Sequence, residues 1–225
     1  MAGPMPVRLE ISPDAKVGAL VDAPDAPWAA FVLAHGAGAG MDHAFMAATA
    51  RGLAERGIAV LRYQFPYMER GSRRPDTPAV AQAAVRAAAA AARVRWPALP
   101  LFAGGKSFGG RMTSQAQAAR PLDGVIGLVF LGFPLHPAGK PGAERAGHLD
   151  DVSVPMLFVQ GTRDELAQPA WLVPLVTRLA TRAKLHAIDQ ADHSFHVPAR
   201  SGRKDPQVLA EALDVVAEWM RGLCS

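Results

Sequence analysis

Residues 101–112 read LFAGGKSFGGRM. An apolar run of strand length closes on Gly104 and Gly105, Ser107 stands between Gly105 and Gly109, and small residues at helical spacing follow at once. That order spells a strand, a sharp turn and a helix with a hydroxyl at the apex. A turn of this kind holds its serine in a strained backbone conformation that lifts Oγ above the sheet edge. The flanking glycines spare the neighbouring strand and helix a collision with a Cβ. Gly105-Lys106-Ser107 also imitates the end of a phosphate-binding loop, but that loop needs a glycine where Pro100 stands, and 101–103 is needed as strand.

Working outward, the stretch before it, 28–34 (WAAFVLA), is a continuous apolar run, the pattern of a strand covered on both faces, and it breaks into His35-Gly36-Ala37-Gly38-Ala39-Gly40. Ahead of it, 7–11 and 16–21 form a hairpin around Ser12-Pro13-Asp14. Asp42 caps a helix over 43–55, 58–63 is a strand, 64–75 is a loop, and Asp76-Thr77-Pro78 opens a helix over 79–94. After Ser107 come a helix over 108–119, strands at 125–131, 156–160 and 184–188, a helix over 168–180, and a last helix over 206–222. In that last helix Val208, Leu209, Leu213, Val216, Trp219 and Met220 fall on one stripe. Strands alternating with helices of this length pair in parallel through right-handed crossovers, so the fold class is α/β, a three-layer α/β/α sandwich, with one domain over 1–225. The irregular stretch 132–153, rich in Pro and Gly, leaves the carboxyl end of a strand and is expected to act as a short substrate lid.

Half of the 225 residues are apolar, ample for a buried core. Lys and Arg number 24 against 20 Asp and Glu, a formal charge of +4 scattered from Arg8 to Arg221. A nucleic-acid binder concentrates its charge on one face. The densest group here, Arg70, Arg73 and Arg74 beside Glu69, lacks interleaved aromatics and reads as a solvated loop. Cys224 is the only cysteine, which rules out an intrachain disulfide and a cysteine-based metal site. The stretch MAGPMPVRLEI shows no charged leader followed by an apolar run, and no later stretch approaches the ~20 apolar residues that span a bilayer. The expectation is a cytoplasmic protein without membrane or nucleic-acid partners; composition leaves its oligomeric state open.

A serine hydroxyl is a weak nucleophile near neutral pH and needs a base, which in turn needs an orienting carboxylate. Asp164, in Gln160-Gly161-Thr162-Arg163-Asp164, and His193, in Ala191-Asp192-His193-Ser194-Phe195, each follow a different strand. Ser107, Asp164 and His193 therefore gather on one edge of the sheet in the order a strand-turn-helix nucleophile uses. The oxyanion needs backbone N–H donors, expected from Phe108 at the helix start and Ala37 in the loop after residue 34. His35 is expected to tie that loop down. Glu165 is the rival acid and His196 the rival base. His193 and His196 form an H-x-x-H without the further ligands a metal needs, so no metal is expected. Arg62, Phe65 and His136 are candidates to contact substrate, with a structural ion pair as the competing role for Arg62, and Lys106 reads as a solvated neighbour.

These residues carry a resemblance. The chain resembles the α/β-hydrolase superfamily, and within it the small capless hydrolases similar to dienelactone hydrolase and to the hydrolase-like region of an NSL chromatin-complex subunit. The shared stretches are HGAGAGMDHAFM, RYQFPYMERG, GGKSFGGRM, GFPLHPAGKPGAERAGHL, LFVQGTRDELA and ADHSFHV. The resemblance implies an eight-stranded, mostly parallel sheet and a serine hydrolase acting on carboxylic esters, thioesters or related small acyl compounds without a cofactor. The same groups could serve perhydrolase or haloperoxidase chemistry, and the fold without the activity could serve as an interaction module. The chain departs from lipases in reading HGAG rather than HGGG, and from dienelactone hydrolases in carrying Ser107 where they carry Cys.

Overall fold

The computed structural model describes residues 3–224. Its one sheet has eight strands in the order β1-β2-β4-β3-β5-β6-β7-β8. β1 (Met5–Ser12) and β2 (Ala15–Asp22) form the expected hairpin, and β2 pairs antiparallel with β4 (Ile58–Tyr63). From β4 onward every pairing is parallel, through β3 (Ala29–Ala34), β5 (Leu101–Lys106), β6 (Val125–Leu131), β7 (Met156–Gly161) and β8 (Ala183–Ile188). β3, β4 and β7 are buried at every position, as continuous apolar runs covered by helices on both faces must be. The edge strand β1 is largely exposed.

Two apolar clusters mark the two faces of the sheet. α1 (Ala44–Glu55) and α6 (Asp205–Gly222) supply Met46, Leu53, Leu213 and Val216 on one side. α3 (Pro78–Arg95), α4 (Phe108–Ala119) and α5 (Pro169–Leu179) supply Val85, Met112 and Leu175 on the other. The alanines of α3, Ala81, Ala84, Ala88 and Ala92, are its buried face, so the polyalanine run serves close packing on the sheet.

Local details differ from the sequence reading in two places. His43 caps α1 in place of Asp42, its Nδ1 accepting from the Phe45 amide at 3.2 Å. A short helix, α2 (Pro66–Glu69), sits in the expected loop. There Asp76, read as a helix start, bonds the Tyr67 amide at 2.7 Å and Arg70 at 2.7 Å, anchoring this turn instead of capping α3.

The chain leaves β3 toward β4 on one side, whereas β5 and its successors lie on the other. Crossover directions therefore reverse between β3 and β5, and the carboxyl ends of those two strands open a crevice. His35-Gly36-Ala37 follows one strand and Ser107 the other.

Candidate active site

Ser107 sits at φ +50° and ψ −114°. A non-glycine residue there is strained by ~1–3 kcal/mol, and the surrounding structure must enforce it. Packing does so. A Cβ on Gly105 would stand 2.2 Å from the Ala34 carbonyl oxygen, and one on Gly109 2.5 Å from the same atom, so the turn can lie against β3 only with bare backbone at both places. The Ser107 amide donates to the Leu131 carbonyl at 3.2 Å, pinning the apex to β6.

The structure brings Ser107, His193 and Asp164 into one hydrogen-bonded row. His193 Nε2 lies 2.9 Å from Ser107 Oγ, and His193 Nδ1 lies 2.7 Å from Asp164 Oδ2. Asp164 is buried at 1% exposure. Its Oδ1 accepts the Leu166 amide at 2.8 Å, and Oδ2 also accepts a short hydrogen bond from the Gln160 amide group. Gln160 Oε1 accepts the Phe133 amide at 2.8 Å, which fixes its orientation. Against a carboxylate that only accepts, Nδ1 of His193 carries the proton and the Nε2 lone pair faces the serine hydroxyl. The rivals lie elsewhere: Glu165 is exposed, and His196 is exposed and paired with Asp205 at 2.9 Å. Among the described residues no group of His, Cys, Asp and Glu could hold a metal.

The loop after β3 is tied down from behind. His35 Nδ1 donates to the Gly36 carbonyl at 2.8 Å, and its Nε2 accepts the Phe65 amide at 3.0 Å. Burial pushes the His35 pKa down to about 4, consistent with the neutral ring these two bonds require. The Tyr67 hydroxyl donates to the Ala37 carbonyl at 2.8 Å. In a trans peptide the C=O and N–H point in opposite directions, so fixing the Gly36 carbonyl toward His35 turns the Ala37 N–H away from it. Phe108 opens α4, where an N–H has no partner inside the helix. Neither amide donates to another described residue.

A cleft of about 330 Å³ opens over Ser107, bounded by Ala37, Ala39, Phe45, Met46, Lys106 and His193 among others. Lys106 is not a solvated neighbour. Its Nζ donates to the His193 carbonyl at 2.5 Å and lies 5.9 and 5.5 Å from the Phe45 and Phe195 ring centroids. Burial lowers its pKa to about 8, against the opposing pull of Asp164 and Asp192.

The expected substrate contacts fare differently. Arg62 is 3% exposed, with Nε 2.8 Å from Asp22 and NH1 donating to the Met41 carbonyl at 2.7 Å. It is a structural ion pair turned away from the cleft, because β4 points this side chain toward β2 and the start of α1. Phe65 is fully buried behind the oxyanion loop, packed edge-on against His35 and Phe108. His136 is buried with Nδ1 bonded to the Pro137 carbonyl at 2.8 Å. None of the three bounds the cleft. Nor does the expected lid: Phe133, Leu135, Ala146 and Leu149 of 132–153 are buried, and its 3-10 turn packs along α4 rather than over Ser107. Gln160 was not singled out by the sequence reading, and Lys106 was read there as solvated rather than inward.

A family model described as an alpha/beta hydrolase domain matches residues 27–221. Among solved structures, the chain is similar to a Xanthomonas campestris α/β serine hydrolase without a lid, at 26% identity and a TM-score of 0.76, over 96% of this chain and 94% of that one. It is also similar in fold to the dienelactone hydrolase of Anabaena variabilis, at 20% identity and a TM-score of 0.78, over 98% and 97% of the two chains. Est1E of Butyrivibrio proteoclasticus, solved with ferulic acid bound, matches at 18% identity and a TM-score of 0.78, over 97% and 99%.

Proposed function

Because the chain belongs to the alpha/beta hydrolase domain family, we propose that it is a serine hydrolase of small carboxylic esters, thioesters or related acyl compounds, with Ser107 as nucleophile. The reading rests on one observation above the others, the continuous row from Ser107 Oγ to His193 at 2.9 Å and on to Asp164 at 2.7 Å. In this reading His193 Nε2 takes the hydroxyl proton as Oγ bonds to the acyl carbon. The carbonyl π electrons move onto oxygen, which the Ala37 and Phe108 amides receive. His193 then returns the proton to the leaving alcohol or thiol as that bond breaks, leaving acyl-Ser107. Water, giving a proton to the same His193 Nε2, bonds to the acyl carbon, and that proton passes to Ser107 Oγ as the Oγ–acyl bond breaks and the acid leaves. Asp164 orients the ring and balances the imidazolium that forms. Each step uses groups of this chain and a water molecule.

The test is covalent labelling by a fluorophosphonate, compared between wild type and Ser107→Ala, followed by a series of 4-nitrophenyl esters of increasing acyl length. Wild type is expected to label and Ser107→Ala to remain unlabelled, with kcat lower by about four to six orders of magnitude. The open cleft of about 330 Å³ leads to highest kcat/KM on short acyl chains. A folded wild type that neither labels nor cleaves any ester would overturn the proposal.

A further inference from the structure

Two neighbouring residues of the nucleophile turn grip one residue of the base loop. Ser107 Oγ meets His193 Nε2 at 2.9 Å, and Lys106 Nζ donates to the His193 carbonyl at 2.5 Å. Lys106 closes β5, where alternate side chains point to opposite faces, so it leaves the sheet on the side of Phe102, the side covered by α1 and α6. There it meets the stacked rings of Phe45 and Phe195, whose centroids are 5.7 Å apart. Nζ lies 5.9 and 5.5 Å from them. Asp164 and Asp192 are the acidic groups that act on it, and with a pKa lowered by burial only to about 8 it is an ammonium at neutral pH. An ammonium is expensive to bury, and a methionine would fill this space without that cost, so packing alone does not account for a lysine here.

The loop it reaches is otherwise closed on itself. Asp192 Oδ1 accepts the Ser194 and His196 amides at 2.8 and 3.0 Å, and the Asp192 carbonyl accepts the Phe195 amide at 3.0 Å. Its ties to the rest of the chain lie at its two ends: the Ala191 carbonyl accepts the Arg163 amide at 2.9 Å, and the Val197 amide donates to Asp205 at 3.1 Å. Among the described residues, the apex 193–195 forms hydrogen bonds outside the loop only through the His193 ring, to Ser107 and Asp164, and through Lys106. Gly132 leaves room for that strap. A Cβ there would stand 2.8 Å from Nζ, 3.4 Å from the His193 carbonyl oxygen and 3.5 Å from its Cε1.

The three ties on His193 do not all last through the reaction. Once Ser107 Oγ is bonded to the acyl carbon it is an ester oxygen without a proton, and Nε2 has to turn its lone pair to water instead. Asp164 then holds one ring nitrogen, a single point about which the residue could pivot; the bond to the main-chain carbonyl supplies the second point. Resting on the hydrolase reading above, we infer that Lys106 is a positioning residue for the second half of the reaction: acting through the His193 carbonyl, it keeps Nε2 in place to take the proton from water after Ser107 has been acylated. The proton then passes to Oγ as the Oγ–acyl bond breaks, and Lys106 itself exchanges none. A charged donor on a carbonyl makes a stronger bond than a neutral one, which suits a strap that has to act alone.

The test separates the two halves with 4-nitrophenyl acetate at neutral pH, comparing wild type with Lys106→Met. Release of 4-nitrophenolate in a rapid-mixing experiment reads acylation, and loss of the acetyl mass from the quenched protein reads deacylation. In Lys106→Met deacylation should slow by about ten- to a hundredfold, the scale of a misplaced catalytic group, while acylation and fluorophosphonate labelling stay within about threefold. The acetyl-enzyme should therefore accumulate after a burst of one 4-nitrophenolate per active site, with kcat and KM falling together and kcat/KM little changed. Lys106→Gln, whose amide stops one bond short of the position of Nζ, should show the same split to a lesser degree, and it carries the test should Lys106→Met not fold. A variant that labels and turns over like wild type, or one that loses acylation and deacylation by the same factor, would overturn the positioning role while leaving the hydrolase standing. Failure of wild type to label would strike the hydrolase itself.

Discussion

The two sides of the cleft are held by opposite means. On the β3–β4 side, the buried Tyr63 hydroxyl aside, the polar groups around the loop after β3 are answered: Arg62 by Asp22 and the Met41 carbonyl, His35 by the Gly36 carbonyl and the Phe65 amide, the Tyr67 hydroxyl by the Ala37 carbonyl. Stacked and edge-on rings of Phe65, Tyr67 and Phe108 fill what is left. On the α4 side Arg111 Nε and His136 Nε2 are buried without partners, and Arg145 holds only main-chain carbonyls. The first arrangement fixes a backbone in place; the second leaves buried polar atoms unanswered. A cation near an active site is therefore informative by what it lacks. Arg62 has every attribute of a substrate-binding arginine except a free guanidinium.

The largest effect expected from breaking this contrast is on stability. Arg62→Met strands Asp22, whose side chain is only 12% exposed, and should cost about 3–5 kcal/mol in urea unfolding. Turnover of short 4-nitrophenyl esters should stay within about twofold in the folded variant. The double variant Asp22→Asn with Arg62→Met should recover much of the lost stability. A larger loss of turnover in folded Arg62→Met would mean that Arg62 does more than hold the frame.

His35 gives the next effect. Its folded pKa, about 4, lies below the ordinary 6.5, so between these values the unfolded chain binds the extra proton. Stability is therefore full above pH 6.5, falls as pH drops toward 4, and loses about 3 kcal/mol across that window from this residue. Protonation puts a hydrogen on Nε2, where the Phe65 amide already points. His35→Gln, which does not titrate, should lose that share of the slope in urea titrations at pH 4.5 and 7. An unchanged slope would mean that the loop is not held by a neutral ring.

How much of this was legible beforehand follows from how local each cause is. The strands could be read because runs such as 28–34 and 125–131 are apolar on both faces, and Ser107, Asp164 and His193 because each sits in a turn whose glycines and neighbours lie within a few residues. The short helix α2 was hidden because Pro66-Tyr67-Met68-Glu69 carries no periodicity of its own and is held by Asp76. Lys106 looked like any lysine beside a turn. Its inward course depends on Phe45, Phe195 and the His193 carbonyl, and on Gly132, where a Cβ would stand 2.8 Å from Nζ. Those partners arrive from three separate elements, which no window of sequence contains. The role of Arg62 was hidden for the same reason: the carboxylate that answers it comes from β2, forty residues away.

The smallest effect tests whether the ordered side of the cleft serves chemistry as well as folding. Tyr67 reaches over the back of the oxyanion loop, its hydroxyl 2.8 Å from the Ala37 carbonyl and 3.4 Å from that of Gly36. Burial and Asp76 raise its pKa to about 12, so the hydroxyl remains a donor throughout the range in which esters can be assayed. Tyr67→Phe keeps the ring contacts and removes one hydrogen bond, worth about 0.5–1.5 kcal/mol. If that bond holds the Ala37 N–H toward the developing oxyanion, kcat should fall about two- to tenfold with KM little changed, because the loss is felt where negative charge appears on oxygen. Equal losses are expected with esters of different acyl length, since the proposed Ala37 donor acts on the carbonyl oxygen common to them all. A drop in stability without any change in kcat would reduce Tyr67 to a prop.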